Sequence, residues 1–292
     1  MEITVFANAK INLFLDVKSK RENNYHNIIS IMQSLDLCDK ITVKYTPSDT
    51  RAVTLRSNDE NLPLGEDNLV YKAVLAFNCN GIFDIFIDKK IPVSAGLAGG
   101  SADAAATLIA LNELTDRLLS VKELQDMGKK LGADIPFCIE GGTCIVEGIG
   151  DIVTKIGSEK DFSIVVARLG EGMSTPTAYS MLDEKFDDFK NYIPKTEKLT
   201  ELICSLGKKD SPLPRLFNIF ESVVEPIRPC VTQVKNIMKL CGATDAVMSG
   251  SGTSVFAVFN DEKAAREAVR ELQKIGAAAF LSRLSDKGAV IV

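Results

Sequence analysis

Tryptophan is absent and histidine occurs once, at His26, in this chain of 292 residues. A single imidazole excludes metal sites that draw two or three of them from one chain, the H-E-x-x-H zinc enzymes and the two-His-one-carboxylate iron sites among them. The seven cysteines (Cys38, Cys79, Cys138, Cys144, Cys204, Cys230 and Cys241) are odd in number and include no C-x-x-C pair. They read as reduced, mostly buried thiols rather than as a zinc or disulfide framework. No metal ligand is assigned. No apolar run approaches the roughly 18 residues of a membrane span, and Glu2 and Lys10 interrupt the opening MEITVFANAKINLFLDV. The expectation is a soluble, unprocessed, cytoplasmic protein without a membrane partner. Basic excess is missing as well: 34 Lys plus Arg against 39 Asp plus Glu give a formal charge of −5, and the sequence pI is about 5.2. That balance argues against a nucleic-acid partner.

With 46% hydrophobic and 25% charged residues, the chain has ample material for a core and the length of one large or two ordinary domains. Ile11, Leu13, Leu15 and Val17 alternate with Asn12, Phe14 and Asp16, the pattern of a strand with one face against a core. Lys40 to Tyr45 alternates similarly, and the polar stretch from Ser19 to Asn24 connects the two and presents Tyr25-His26. Asp67 or Asn68 can cap a helix carrying Val70, Ala73, Val74 and Phe77, followed by a strand over 82–87. After a glycine turn and an Ala/Leu helix up to 114, Val121, Leu124 and Leu131 mark another helix. A short loop, 132–136, then leads into a strand around 143–147. The turn-rich stretch 156–161 places a boundary between residues 1–158 and 159–292. The second part shows helical patterns near 195–206, 215–224, 229–241 and 261–274, with strands near 163–168, 244–248, 253–259 and 278–283. The order is mixed α and β.

The strongest local signal is Pro92-Val-Ser-Ala-Gly96-Leu97-Ala98-Gly99-Gly100-Ser101-Ala102-Asp103-Ala-Ala-Ala106. Glycines let backbone approach an anion, the first-turn N–H groups of a helix lack intrahelical partners, and the helix dipole favours negative charge there. Ser101 could cap the helix, contact a phosphate, or both. A tight turn before a packing helix would need no more than the same glycines and alanines. No Lys follows Gly99-Gly100, so the segment is no Walker A loop, and its spacing is not the dinucleotide G-x-G-x-x-G.

Asp134 lies in Leu131-Gly-Ala-Asp-Ile-Pro-Phe137, where Pro136 is expected to hold Ile135 extended. Its carboxylate could take a proton from a substrate hydroxyl or merely stabilise a turn. Lys10 could be an edge-strand gatekeeper, or, if it meets Asp134 across the fold, could keep that carboxylate ionised. The turn Met248-Ser-Gly250-Ser251-Gly252-Thr253-Ser-Val255 could be a plain hairpin or a backbone-rich flap that closes over substrate.

Taken in order, these segments resemble the GHMP kinases, small-molecule kinases with a Pro-x-x-x-Gly-Leu-(Gly/Ala)-Gly-Gly-Ser phosphate loop. The segments are Ala9-Lys10-Ile-Asn12-Leu-Phe-Leu15, Asn24-Tyr25-His26, the 92–106 loop, Leu131-Gly-Ala-Asp134-Ile-Pro136, Glu147-Gly-Ile-Gly150 and Ser249-Gly-Ser-Gly-Thr253. The Lys-x-Asn opening with the Tyr-His pair is similar to the branch that phosphorylates a cytidine diphosphate-linked alcohol in non-mevalonate isoprenoid synthesis. The resemblance implies an α+β fold of two domains, ribosomal-protein-S5-like then ferredoxin-like, with the active site between them. It implies ATP as phosphoryl donor and Mg²⁺, a small-molecule cytidine diphosphate partner, and a monomer or weak homodimer.

Residue by residue, it implies that Lys10 and Asp134 flank the hydroxyl, with Asp134 as general base. Pro92, Gly96, Leu97, Ala98, Gly99, Gly100, Ser101, Ala102 and Asp103 would bind ATP phosphates. Tyr25 and Tyr179 would sandwich the cytosine, His26 would hydrogen-bond it, and Asn12 and Thr175 would bind polar groups of the substrate. Gly250, Ser251, Gly252 and Thr253 would form the closing turn. Two positions depart from the pattern: Asn23-Asn24 replaces Asp-Gly, and Ala102 replaces the second serine of the loop. Asn tolerates positive φ, so the turn is expected to survive. Another GHMP kinase, acting on mevalonate, homoserine or a sugar, and a silent nucleotide-binding regulator are the alternative readings.

Overall fold

The computed structural model describes residues 1–93 and 95–292. Strand β1 (Glu2–Lys20) and strand β2 (His26–Thr46) form a long antiparallel hairpin whose register runs from Glu2↔Lys44 to Lys20↔His26. At its tip the amide of Arg21 donates to the carbonyl of Tyr25 at 2.7 Å, and Asn24 takes the expected positive φ, +64°. Strand β3 (Arg51–Ser57), helix α1 (Leu69–Phe77) and strand β4 (Gly81–Asp88) follow. The Asn68 side chain accepts from the amide of Val70 and caps α1. Helices α2 (Gly99–Leu114), α3 (Val121–Lys129) and α4 (Ile135–Glu140) then precede strands β5 (Thr143–Gly148) and β6 (Ile152–Lys155).

The second part runs through β7 (Ser163–Arg168), α5 (Thr175–Lys185), a 3-10 turn (Asp187–Phe189), α6 (Thr196–Leu206), β8 (Phe217–Asn218) and α7 (Glu221–Val224). It continues with α8 (Pro229–Leu240), β9 (Asp245–Met248), β10 (Val255–Phe259), α9 (Glu262–Lys274), β11 (Ala278–Ser285) and β12 (Ala289–Ile291). Four of these strands lie in the order β11-β7-β10-β9, all neighbours antiparallel. With α8 and α9 as the crossovers, this is a β-α-β-β-α-β unit of ferredoxin-like type. β11 also pairs with β2 through Leu284↔Leu35, and β12 pairs with β1 through Val5↔Ile291. The last strand therefore lies in the same sheet as the first.

β1 is covered on both faces, not one. Side chains from Ala7 to Val17 are all buried, because α2 packs on one side while Leu15 and Val17 join Phe220, Val231 and Phe259 on the other. The polar positions Asn12 and Asp16 are consequently buried too, and each is satisfied by hydrogen bonds. A third apolar cluster, with Ile11, Leu35, Ile164 and Phe256, joins elements of both parts.

Three further expectations are corrected. The 132–136 loop does not run into a strand, because residues 135–140 form α4 first, with Pro136 in the first turn where its missing N–H costs nothing. Ile135 is therefore helical rather than extended. The helix read over 215–224 is the two-residue β8 plus the short α7, since Phe217 pairs with Phe14 of β1. Among the described residues, no helix is long and apolar enough to cross a membrane.

Candidate active site

The glycine loop turns on two left-handed residues, Gly96 at φ +74° and Ala98 at φ +57°. A Cβ on Gly96 would fall 2.2 Å from the Ser249 carbonyl oxygen, so only glycine fits against the second turn. Ala98 is the N-cap of α2 and makes no side-chain cap. The first intrahelical bond of the loop runs from the amide of Ala102 to the carbonyl of Ala98 at 2.9 Å. The N–H groups of Gly99, Gly100 and Ser101 thus lack helical acceptors and are available to an anion. Ser101 lies inside the helix, so its reading as N-cap is overturned; capping has passed to the backbone of Ala98. Ser94, within the same loop, lies outside the described residues.

Backbone contacts bind this loop to the strand of Lys10 and to the late glycine turn. The amide of Lys10 donates to the Leu97 carbonyl at 3.1 Å, where the β1–β2 ladder is interrupted between Asn8 and Lys10. Ser249 Oγ donates to the Gly96 carbonyl at 3.0 Å, and the amide of Gly250 donates to Asn12 Oδ1 at 3.0 Å. Asn218 Nδ2, on β8, donates to the carbonyls of Met248 and Gly250 at 2.7 and 2.8 Å. The turn is thus a fixed wall rather than a simple hairpin.

These elements enclose a cavity of about 1040 Å³. Around it stand Lys10, Asn12, Tyr25, His26, Gly96, Ala98, Gly99, Gly100, Ser101, Asp134, Thr175, Tyr179, Gly250 and Ser251. The remaining expected residues lie elsewhere. Leu97 and Ala102 have their side chains in the core, and Thr253 Oγ1 donates to the Glu171 carbonyl at 2.9 Å. Pro92 borders a separate recess of about 410 Å³ beside the loop's stem, and Gly252 a third of about 390 Å³.

Asp103 is buried and accepts from Lys89 Nζ at 2.7 Å. Lys89 also pairs with Asp39, whose Oδ1 accepts from the amides of Lys90 and Ile91 at 2.6 and 2.8 Å. This triad fastens the stem of the loop and the first turn of α2 to β2. Burial raises the Asp103 carboxyl well above the usual carboxylate range, and the Lys89 ammonium opposes it only partly.

Lys10 is 4% exposed and sits in a central part of the sheet, which removes the gatekeeper reading. Its Nζ donates to Asn12 Oδ1 at 2.7 Å. Asp134 is the residue before α4, and its carboxylate makes no cap to that helix, so the turn-stabiliser role is not realised. The two charges border one cavity without forming an ion pair. Both act on Cys138 beneath them, whose thiol is raised first by burial and then by Asp134, while Lys10 pulls it down.

Tyr25, also at the cavity, is 58% exposed beside the buried His26. The His26 ring stacks on Tyr179 with centroids 4.4 Å apart and planes at 18°. Its Nε2 meets Asp183 Oδ1 at 2.6 Å, and Lys20 Nζ meets the other Asp183 oxygen at 2.9 Å. Burial raises the Tyr179 phenol above its ordinary range, and the charge of Asp134 adds to this. Thr175 Oγ1 lies 2.8 Å from Ser251 Oγ, joining α5 to the late glycine turn. Asp183, Lys20 and Asn218 were not singled out from the sequence. None of the three belongs to a motif, and each is linked to its partners only by the fold.

Known proteins agree with this geometry. The GHMP kinases N terminal domain matches residues 68–142, and the GHMP kinases C terminal domain matches residues 200–278. The chain is 39% identical over 291 residues to the 4-diphosphocytidyl-2-C-methyl-D-erythritol kinase of Lachnoclostridium phytofermentans, covering 96% of this chain and 97% of the relative. It is 40% identical over 278 residues to the protein of the same name from Alkaliphilus oremlandii, covering 93% and 92%. Among solved structures, a 4-(cytidine 5'-diphospho)-2C-methyl-D-erythritol kinase superposes with a TM-score of 0.78 at 27% identity, over 98% of this chain and 99% of that one. A homoserine kinase from Cytophaga hutchinsonii shares the fold, with a TM-score of 0.76 at 21% identity over 100% and 97%. The chain belongs to the GHMP kinase family, and the relatives it matches over nearly its whole length are 4-diphosphocytidyl-2-C-methyl-D-erythritol kinases.

Proposed function

We propose that this kinase transfers the γ-phosphoryl group of ATP to the 2-hydroxyl of 4-diphosphocytidyl-2-C-methyl-D-erythritol, in the non-mevalonate route to isoprenoid precursors. One observation carries the reading: a single cavity is bordered by Lys10, Asp134 and the open N–H groups of α2, and also by Tyr25, His26 and Tyr179. The first set has the chemistry for phosphoryl transfer. The second offers aromatic faces and polar edges suited to a base, and the names borne by the full-length relatives supply the base's identity.

Phosphoryl transfer through a loose transition state asks mainly for in-line positioning and neutralisation of charge. The first-turn N–H groups of α2 hold the phosphates, and the recess beside Pro92 is free volume for the nucleoside. Asp134, unengaged by any cap, accepts the proton of the attacking hydroxyl. Lys10 stabilises the charge that develops as that hydroxyl attacks, and Asn12 fixes the ammonium in place. Tyr25 and Tyr179 stack the cytosine, and Thr175 holds the polar part of the substrate.

No cluster of three His, Cys, Asp or Glu side chains forms a metal cage among the described residues. Mg²⁺ needs no such cage, since it takes few protein ligands beside phosphate oxygens and waters. The Ser101 hydroxyl, at the cavity, is the protein group that would hold it, leaving Asp134 to the proton. When bound, it would neutralise phosphate charge.

The test is coupled ATP consumption across the cytidine compound, mevalonate, homoserine and sugars, with mass measurement of each product. Turnover confined to the cytidine compound, with a product one phosphoryl group heavier, is the expected result. Faster turnover of an alcohol lacking the nucleotide would overturn the reading.

A further inference from the structure

Tyr179 and Asp183 stand four residues apart on α5, and therefore on one face of that helix. The first lays its ring on His26 and the second grips the same imidazole at Nε2, 2.6 Å from Asp183 Oδ1. The grip is itself braced. Lys20 Nζ holds Asp183 Oδ2 at 2.9 Å and Asp188 Oδ1 at 2.7 Å. Asp187, Asp188 and Phe189 adopt φ of +46°, +53° and +63°, a conformation unfavourable for residues other than glycine and retained where surrounding contacts enforce it. The turn they make sets Asp188 on Lys20 and the Phe189 ring edge-on to His26, centroids 5.7 Å apart. His26 is 6% exposed, closed by a ring on one face, by a ring at its edge and by a carboxylate at Nε2.

We propose that Asp183 is a positioning residue that determines specificity for the base. By accepting from Nε2–H, it selects the His26 tautomer whose Nδ1 is an acceptor. Which ring nitrogen carries the proton is set by the bond the other atom makes, and a carboxylate can only accept. Nδ1 has no hydrogen-bond partner among the described residues and is not one of the sealed, unsatisfied atoms. An acceptor there suits the exocyclic amine of cytosine, and it faces a carbonyl, a second acceptor, if uracil enters instead. Sites built for one hydrogen-bonding partner reject an analogue that leaves their groups unpaired. This inference rests on the cytidine reading above for its ligand, but not for the state of the imidazole.

His26 is the only histidine, so one pair of imidazole ¹⁵N resonances reports it without ambiguity. The expected spectrum of the parent shows a protonated Nε2 and a bare Nδ1, and Asp183→Asn gives a mixture of tautomers. In the same variant, KM for the cytidine substrate rises roughly tenfold, while kcat and KM for ATP stay within about twofold. Preference over the uridine analogue falls by a similar factor. Lys20→Met, which removes only the brace, moves the same quantities less. A parent spectrum showing Nδ1–H or an imidazolium overturns the proposal. So does an Asp183→Asn spectrum identical to the parent, or an equal loss for cytidine and uridine compounds. If neither compound is turned over by the parent, the substrate reading fails, and the ¹⁵N comparison still decides whether Asp183 sets the ring.

Discussion

Results

Sequence analysis

Tryptophan is absent and histidine occurs once, at His26, in this chain of 292 residues. A single imidazole excludes metal sites that draw two or three of them from one chain, the H-E-x-x-H zinc enzymes and the two-His-one-carboxylate iron sites among them. The seven cysteines (Cys38, Cys79, Cys138, Cys144, Cys204, Cys230 and Cys241) are odd in number and include no C-x-x-C pair. They read as reduced, mostly buried thiols rather than as a zinc or disulfide framework. No metal ligand is assigned. No apolar run approaches the roughly 18 residues of a membrane span, and Glu2 and Lys10 interrupt the opening MEITVFANAKINLFLDV. The expectation is a soluble, unprocessed, cytoplasmic protein without a membrane partner. Basic excess is missing as well: 34 Lys plus Arg against 39 Asp plus Glu give a formal charge of −5, and the sequence pI is about 5.2. That balance argues against a nucleic-acid partner.

With 46% hydrophobic and 25% charged residues, the chain has ample material for a core and the length of one large or two ordinary domains. Ile11, Leu13, Leu15 and Val17 alternate with Asn12, Phe14 and Asp16, the pattern of a strand with one face against a core. Lys40 to Tyr45 alternates similarly, and the polar stretch from Ser19 to Asn24 connects the two and presents Tyr25-His26. Asp67 or Asn68 can cap a helix carrying Val70, Ala73, Val74 and Phe77, followed by a strand over 82–87. After a glycine turn and an Ala/Leu helix up to 114, Val121, Leu124 and Leu131 mark another helix. A short loop, 132–136, then leads into a strand around 143–147. The turn-rich stretch 156–161 places a boundary between residues 1–158 and 159–292. The second part shows helical patterns near 195–206, 215–224, 229–241 and 261–274, with strands near 163–168, 244–248, 253–259 and 278–283. The order is mixed α and β.

The strongest local signal is Pro92-Val-Ser-Ala-Gly96-Leu97-Ala98-Gly99-Gly100-Ser101-Ala102-Asp103-Ala-Ala-Ala106. Glycines let backbone approach an anion, the first-turn N–H groups of a helix lack intrahelical partners, and the helix dipole favours negative charge there. Ser101 could cap the helix, contact a phosphate, or both. A tight turn before a packing helix would need no more than the same glycines and alanines. No Lys follows Gly99-Gly100, so the segment is no Walker A loop, and its spacing is not the dinucleotide G-x-G-x-x-G.

Asp134 lies in Leu131-Gly-Ala-Asp-Ile-Pro-Phe137, where Pro136 is expected to hold Ile135 extended. Its carboxylate could take a proton from a substrate hydroxyl or merely stabilise a turn. Lys10 could be an edge-strand gatekeeper, or, if it meets Asp134 across the fold, could keep that carboxylate ionised. The turn Met248-Ser-Gly250-Ser251-Gly252-Thr253-Ser-Val255 could be a plain hairpin or could close over substrate with its free backbone N–H groups.

Taken in order, these segments resemble the GHMP kinases, small-molecule kinases with a Pro-x-x-x-Gly-Leu-(Gly/Ala)-Gly-Gly-Ser phosphate loop. The segments are Ala9-Lys10-Ile-Asn12-Leu-Phe-Leu15, Asn24-Tyr25-His26, the 92–106 loop, Leu131-Gly-Ala-Asp134-Ile-Pro136, Glu147-Gly-Ile-Gly150 and Ser249-Gly-Ser-Gly-Thr253. The Lys-x-Asn opening with the Tyr-His pair is similar to the branch that phosphorylates a cytidine diphosphate-linked alcohol in non-mevalonate isoprenoid synthesis. The resemblance implies an α+β fold of two domains, ribosomal-protein-S5-like then ferredoxin-like, with the active site between them. It implies ATP as phosphoryl donor and Mg²⁺, a small-molecule cytidine diphosphate partner, and a monomer or weak homodimer.

Residue by residue, the resemblance implies that Lys10 and Asp134 flank the hydroxyl, with Asp134 as general base. Pro92, Gly96, Leu97, Ala98, Gly99, Gly100, Ser101, Ala102 and Asp103 would bind ATP phosphates. Tyr25 and Tyr179 would sandwich the cytosine, His26 would hydrogen-bond it, and Asn12 and Thr175 would bind polar groups of the substrate. Gly250, Ser251, Gly252 and Thr253 would form the closing turn. Two positions depart from the pattern: Asn23-Asn24 replaces Asp-Gly, and Ala102 replaces the second serine of the loop. Asn tolerates positive φ, so the turn is expected to survive. Another GHMP kinase, acting on mevalonate, homoserine or a sugar, and a silent nucleotide-binding regulator are the alternative readings.

Overall fold

The computed structural model describes residues 1–93 and 95–292. Strand β1 (Glu2–Lys20) and strand β2 (His26–Thr46) form a long antiparallel hairpin whose register runs from Glu2↔Lys44 to Lys20↔His26. At its tip the amide of Arg21 donates to the carbonyl of Tyr25 at 2.7 Å, and Asn24 takes the expected positive φ, +64°. Strand β3 (Arg51–Ser57), helix α1 (Leu69–Phe77) and strand β4 (Gly81–Asp88) follow. The Asn68 side chain accepts from the amide of Val70 and caps α1. Helices α2 (Gly99–Leu114), α3 (Val121–Lys129) and α4 (Ile135–Glu140) then precede strands β5 (Thr143–Gly148) and β6 (Ile152–Lys155).

The second part runs through β7 (Ser163–Arg168), α5 (Thr175–Lys185), a 3-10 turn (Asp187–Phe189), α6 (Thr196–Leu206), β8 (Phe217–Asn218) and α7 (Glu221–Val224). It continues with α8 (Pro229–Leu240), β9 (Asp245–Met248), β10 (Val255–Phe259), α9 (Glu262–Lys274), β11 (Ala278–Ser285) and β12 (Ala289–Ile291). Four of these strands lie in the order β11-β7-β10-β9, all neighbours antiparallel. With α8 and α9 as the crossovers, this is a β-α-β-β-α-β unit of ferredoxin-like type. β11 also pairs with β2 through Leu284↔Leu35, and β12 pairs with β1 through Val5↔Ile291. The last strand therefore lies in the same sheet as the first.

β1 is covered on both faces, not one. Side chains from Ala7 to Val17 are all buried, because α2 packs against the strand while Leu15 and Val17 join Phe220, Val231 and Phe259 in a separate apolar cluster. The polar positions Asn12 and Asp16 are consequently buried too, and each is satisfied by hydrogen bonds. A third cluster, with Ile11, Leu35, Ile164 and Phe256, joins elements of both parts.

Three further expectations are corrected. The 132–136 loop does not run into a strand, because residues 135–140 form α4 first, with Pro136 in the first turn where a missing N–H is no loss. Ile135 is therefore helical rather than extended. The helix read over 215–224 is the two-residue β8 followed by the short α7, since Phe217 pairs with Phe14 of β1. Among the described residues, no helix is long and apolar enough to cross a membrane.

Candidate active site

The glycine loop turns on two left-handed residues, Gly96 at φ +74° and Ala98 at φ +57°. A Cβ on Gly96 would fall 2.2 Å from the Ser249 carbonyl oxygen, so only glycine fits against the second turn. Ala98 is the N-cap of α2 and makes no side-chain cap. The amide of Ala102 donates to the carbonyl of Ala98 at 2.9 Å and opens the helical ladder. The N–H groups of Gly99, Gly100 and Ser101 thus lack helical acceptors and are available to an anion. Ser101 lies inside the helix, so its reading as N-cap is overturned; the cap position belongs to Ala98. Ser94, within the same loop, lies outside the described residues.

Backbone contacts bind this loop to the strand of Lys10 and to the late glycine turn. The amide of Lys10 donates to the Leu97 carbonyl at 3.1 Å, where the β1–β2 ladder is interrupted between Asn8 and Lys10. Ser249 Oγ donates to the Gly96 carbonyl at 3.0 Å, and the amide of Gly250 donates to Asn12 Oδ1 at 3.0 Å. Asn218 Nδ2, on β8, donates to the carbonyls of Met248 and Gly250 at 2.7 and 2.8 Å. The turn is thus a tethered wall rather than a free hairpin.

These elements enclose a cavity of about 1040 Å³. Around it stand Lys10, Asn12, Tyr25, His26, Gly96, Ala98, Gly99, Gly100, Ser101, Asp134, Thr175, Tyr179, Gly250 and Ser251. The remaining expected residues lie elsewhere. Leu97 and Ala102 have their side chains in the core, and Thr253 Oγ1 donates to the Glu171 carbonyl at 2.9 Å. Pro92 borders a separate recess of about 410 Å³ beside the loop's stem, and Gly252 a third of about 390 Å³.

Asp103 is buried and accepts from Lys89 Nζ at 2.7 Å. Lys89 also pairs with Asp39, whose Oδ1 accepts from the amides of Lys90 and Ile91 at 2.6 and 2.8 Å. This triad fastens the stem of the loop and the first turn of α2 to β2. Burial raises the Asp103 carboxyl well above the usual carboxylate range, and the Lys89 ammonium opposes it only partly.

Lys10 is 4% exposed and is paired within the sheet, which removes the gatekeeper reading. Its Nζ donates to Asn12 Oδ1 at 2.7 Å. Asp134 is the residue before α4, and its carboxylate makes no cap to that helix, so the turn-stabiliser role is not realised. The two residues border one cavity without forming an ion pair. Both act on the buried Cys138, whose thiol is raised first by burial and then by Asp134, while Lys10 pulls it down.

Tyr25, also at the cavity, is 58% exposed beside the buried His26. The His26 ring stacks on Tyr179 with centroids 4.4 Å apart and planes at 18°. Its Nε2 meets Asp183 Oδ1 at 2.6 Å, and Lys20 Nζ meets the other Asp183 oxygen at 2.9 Å. Burial raises the Tyr179 phenol above its ordinary range, and the charge of Asp134 adds to this. Thr175 Oγ1 lies 2.8 Å from Ser251 Oγ, joining α5 to the late glycine turn. Asp183, Lys20 and Asn218 escape sequence reasoning. None of the three belongs to a motif, and each is linked to its partners only by the fold.

Known proteins agree with this architecture. The GHMP kinases N terminal domain matches residues 68–142, and the GHMP kinases C terminal domain matches residues 200–278. The chain is 39% identical over 291 residues to the 4-diphosphocytidyl-2-C-methyl-D-erythritol kinase of Lachnoclostridium phytofermentans, covering 96% of this chain and 97% of the relative. It is 40% identical over 278 residues to the protein of the same name from Alkaliphilus oremlandii, covering 93% and 92%. Among solved structures, a 4-(cytidine 5'-diphospho)-2C-methyl-D-erythritol kinase superposes with a TM-score of 0.78 at 27% identity, over 98% of this chain and 99% of that one. A homoserine kinase from Cytophaga hutchinsonii shares the fold, with a TM-score of 0.76 at 21% identity over 100% and 97%. The chain belongs to the GHMP kinase family, and the relatives it matches over nearly its whole length are 4-diphosphocytidyl-2-C-methyl-D-erythritol kinases.

Proposed function

We propose that this kinase transfers the γ-phosphoryl group of ATP to the 2-hydroxyl of 4-diphosphocytidyl-2-C-methyl-D-erythritol, in the non-mevalonate route to isoprenoid precursors. One observation carries the reading: a single cavity is bordered by Lys10, Asp134 and the open N–H groups of α2, and also by Tyr25, His26 and Tyr179. The first set has the chemistry for phosphoryl transfer. The second offers aromatic faces and polar edges suited to a base, and the names borne by the full-length relatives supply the base's identity.

Phosphoryl transfer through a loose transition state asks mainly for in-line positioning and neutralisation of charge. The first-turn N–H groups of α2 hold the phosphates, and the recess beside Pro92 is free volume for the nucleoside. Asp134, unengaged by any cap, accepts the proton of the attacking hydroxyl. Lys10 stabilises the charge that develops as that hydroxyl attacks, and Asn12 orients the ammonium. Tyr25 and Tyr179 stack the cytosine, and Thr175 holds a polar part of the substrate.

No cluster of three His, Cys, Asp or Glu side chains forms a metal cage among the described residues. Mg²⁺ needs no such cage, since it takes few protein ligands beside phosphate oxygens and waters. The Ser101 hydroxyl, at the cavity, is the protein group that would hold it, leaving Asp134 to the proton. When bound, it would neutralise phosphate charge.

The test is coupled ATP consumption across the cytidine compound, mevalonate, homoserine and sugars, with mass measurement of each product. Turnover confined to the cytidine compound, with a product one phosphoryl group heavier, is the expected result. Faster turnover of an alcohol lacking the nucleotide would overturn the reading.

A further inference from the structure

Tyr179 and Asp183 stand four residues apart on α5, and therefore on one face of that helix. The first lays its ring on His26 and the second grips the same imidazole at Nε2, 2.6 Å from Asp183 Oδ1. The grip is itself braced. Lys20 Nζ holds Asp183 Oδ2 at 2.9 Å and Asp188 Oδ1 at 2.7 Å. Asp187, Asp188 and Phe189 adopt φ of +46°, +53° and +63°, a conformation unfavourable for residues other than glycine and retained where surrounding contacts enforce it. The turn they make sets Asp188 on Lys20 and the Phe189 ring edge-on to His26, centroids 5.7 Å apart. His26 is 6% exposed, closed by one ring on its face, by another at its edge and by a carboxylate at Nε2.

We propose that Asp183 is a positioning residue that determines specificity for the base: by accepting from Nε2–H, it selects the His26 tautomer whose Nδ1 is an acceptor. Which ring nitrogen carries the proton is set by the bond the other atom makes, and an ionised carboxylate can only accept. Nδ1 has no hydrogen-bond partner among the described residues and is not one of the sealed, unsatisfied atoms. An acceptor there suits the exocyclic amine of cytosine, and it faces a carbonyl, a second acceptor, if uracil enters instead. Sites built for one hydrogen-bonding partner reject an analogue that leaves their groups unpaired. This inference rests on the cytidine reading above for its ligand, but not for the state of the imidazole.

His26 is the only histidine, so one pair of imidazole ¹⁵N resonances reports it without ambiguity. The expected spectrum of the unaltered chain shows a protonated Nε2 and a bare Nδ1, and Asp183→Asn gives a mixture of tautomers. In the same variant, KM for the cytidine substrate rises roughly tenfold, while kcat and KM for ATP stay within about twofold of the unaltered enzyme. Preference over the uridine analogue falls by a similar factor. Lys20→Met, which removes only the brace, moves the same quantities less. A spectrum of the unaltered chain showing Nδ1–H or an imidazolium overturns the proposal. So does an Asp183→Asn spectrum identical to it, or an equal loss for cytidine and uridine compounds. If the unaltered enzyme turns over neither compound, the substrate reading fails, and the ¹⁵N comparison still decides whether Asp183 sets the ring.

Discussion

Asn12 and Gly250 meet across the cavity wall: the Asn12 Oδ1 that accepts from Lys10 Nζ at 2.7 Å also accepts from the amide of Gly250 at 3.0 Å. One side-chain oxygen thereby orients the buried ammonium and tethers the late glycine turn. Asn12→Ala leaves both donors without that acceptor, which costs about 1–3 kcal/mol when a buried polar group goes unpaired. We expect a lowered midpoint in urea denaturation together with a fall in kcat. An unchanged kcat at full occupancy would show that the ammonium needs no orientation from Asn12.

Asp134→Asn separates chemistry from folding, because the carboxylate makes no cap to α4. Turnover should fall by about 10²–10⁴, the usual contribution of a general base, while stability changes by less than about 0.5 kcal/mol. Steady-state kinetics beside a thermal melt checks both halves. Near-normal turnover would remove Asp134 from the role of base.

Gly96→Ala should do the reverse and damage the framework. Its φ of +74° and the 2.2 Å approach of the Ser249 carbonyl oxygen leave no room for a methyl group. We expect at least about 2 kcal/mol of lost stability, and a raised KM for ATP as the loop shifts. A chemical-denaturation midpoint equal to the unaltered chain would contradict the close packing of the two turns.

Tyr25→Ala removes a ring that is 58% exposed and should leave the melting curve almost unmoved. Base–aromatic stacking is worth about 1–3 kcal/mol per base, so KM for the cytidine substrate should rise by roughly 5- to 150-fold while KM for ATP holds. Equal increases for both substrates would place Tyr25 outside the base site.

The pH dependence of stability has a readable window at Asp151. Burial pushes the Asp151 carboxyl upward, but Lys129 and the amide of Ile149, which donates at 2.9 Å, outweigh it and hold the group below its ordinary value. A carboxyl lowered in the folded state stabilises above its unfolded pKa, and the benefit disappears as pH falls through the folded one. Asp151→Asn should therefore be less stable than the unaltered chain at neutral pH, with the gap closing below about pH 4. Denaturation midpoints measured from pH 7 down to 3 test this; a constant gap would mean that the ion pair contributes nothing.

The sequence made some of this legible and hid the rest for physical reasons. Asn68 and α1 were readable because cap and apolar spacing coincide in one short segment. The glycine turn leading into α2 was readable because glycine and alanine there serve backbone geometry. α4 escaped because all five residues from Ile135 to Ile139 are buried, and a segment covered on every side has no amphipathic period to detect. The burial of Asn12 and Asp16 escaped likewise: alternation assigns them to solvent, and only the packing of a second layer on β1 encloses them. Asp183 is 157 positions from His26. No local pattern links an aspartate on a helix to a ring on a distant hairpin.

The pairing of β12 with β1 has a consequence for biosynthesis. Ile291 lies opposite Val5, and the strand of Val5 continues directly to Lys10. Translation delivers β1 before β12, so the pairing at Val5, Phe6 and Ala7 waits until residues 289–291 have been made. Pairings of such sequence separation also slow spontaneous folding, since the chain must close its largest loop before the contact rewards it. A growing chain thereby carries an unpaired β1 edge over residues 5–7 until β12 joins it.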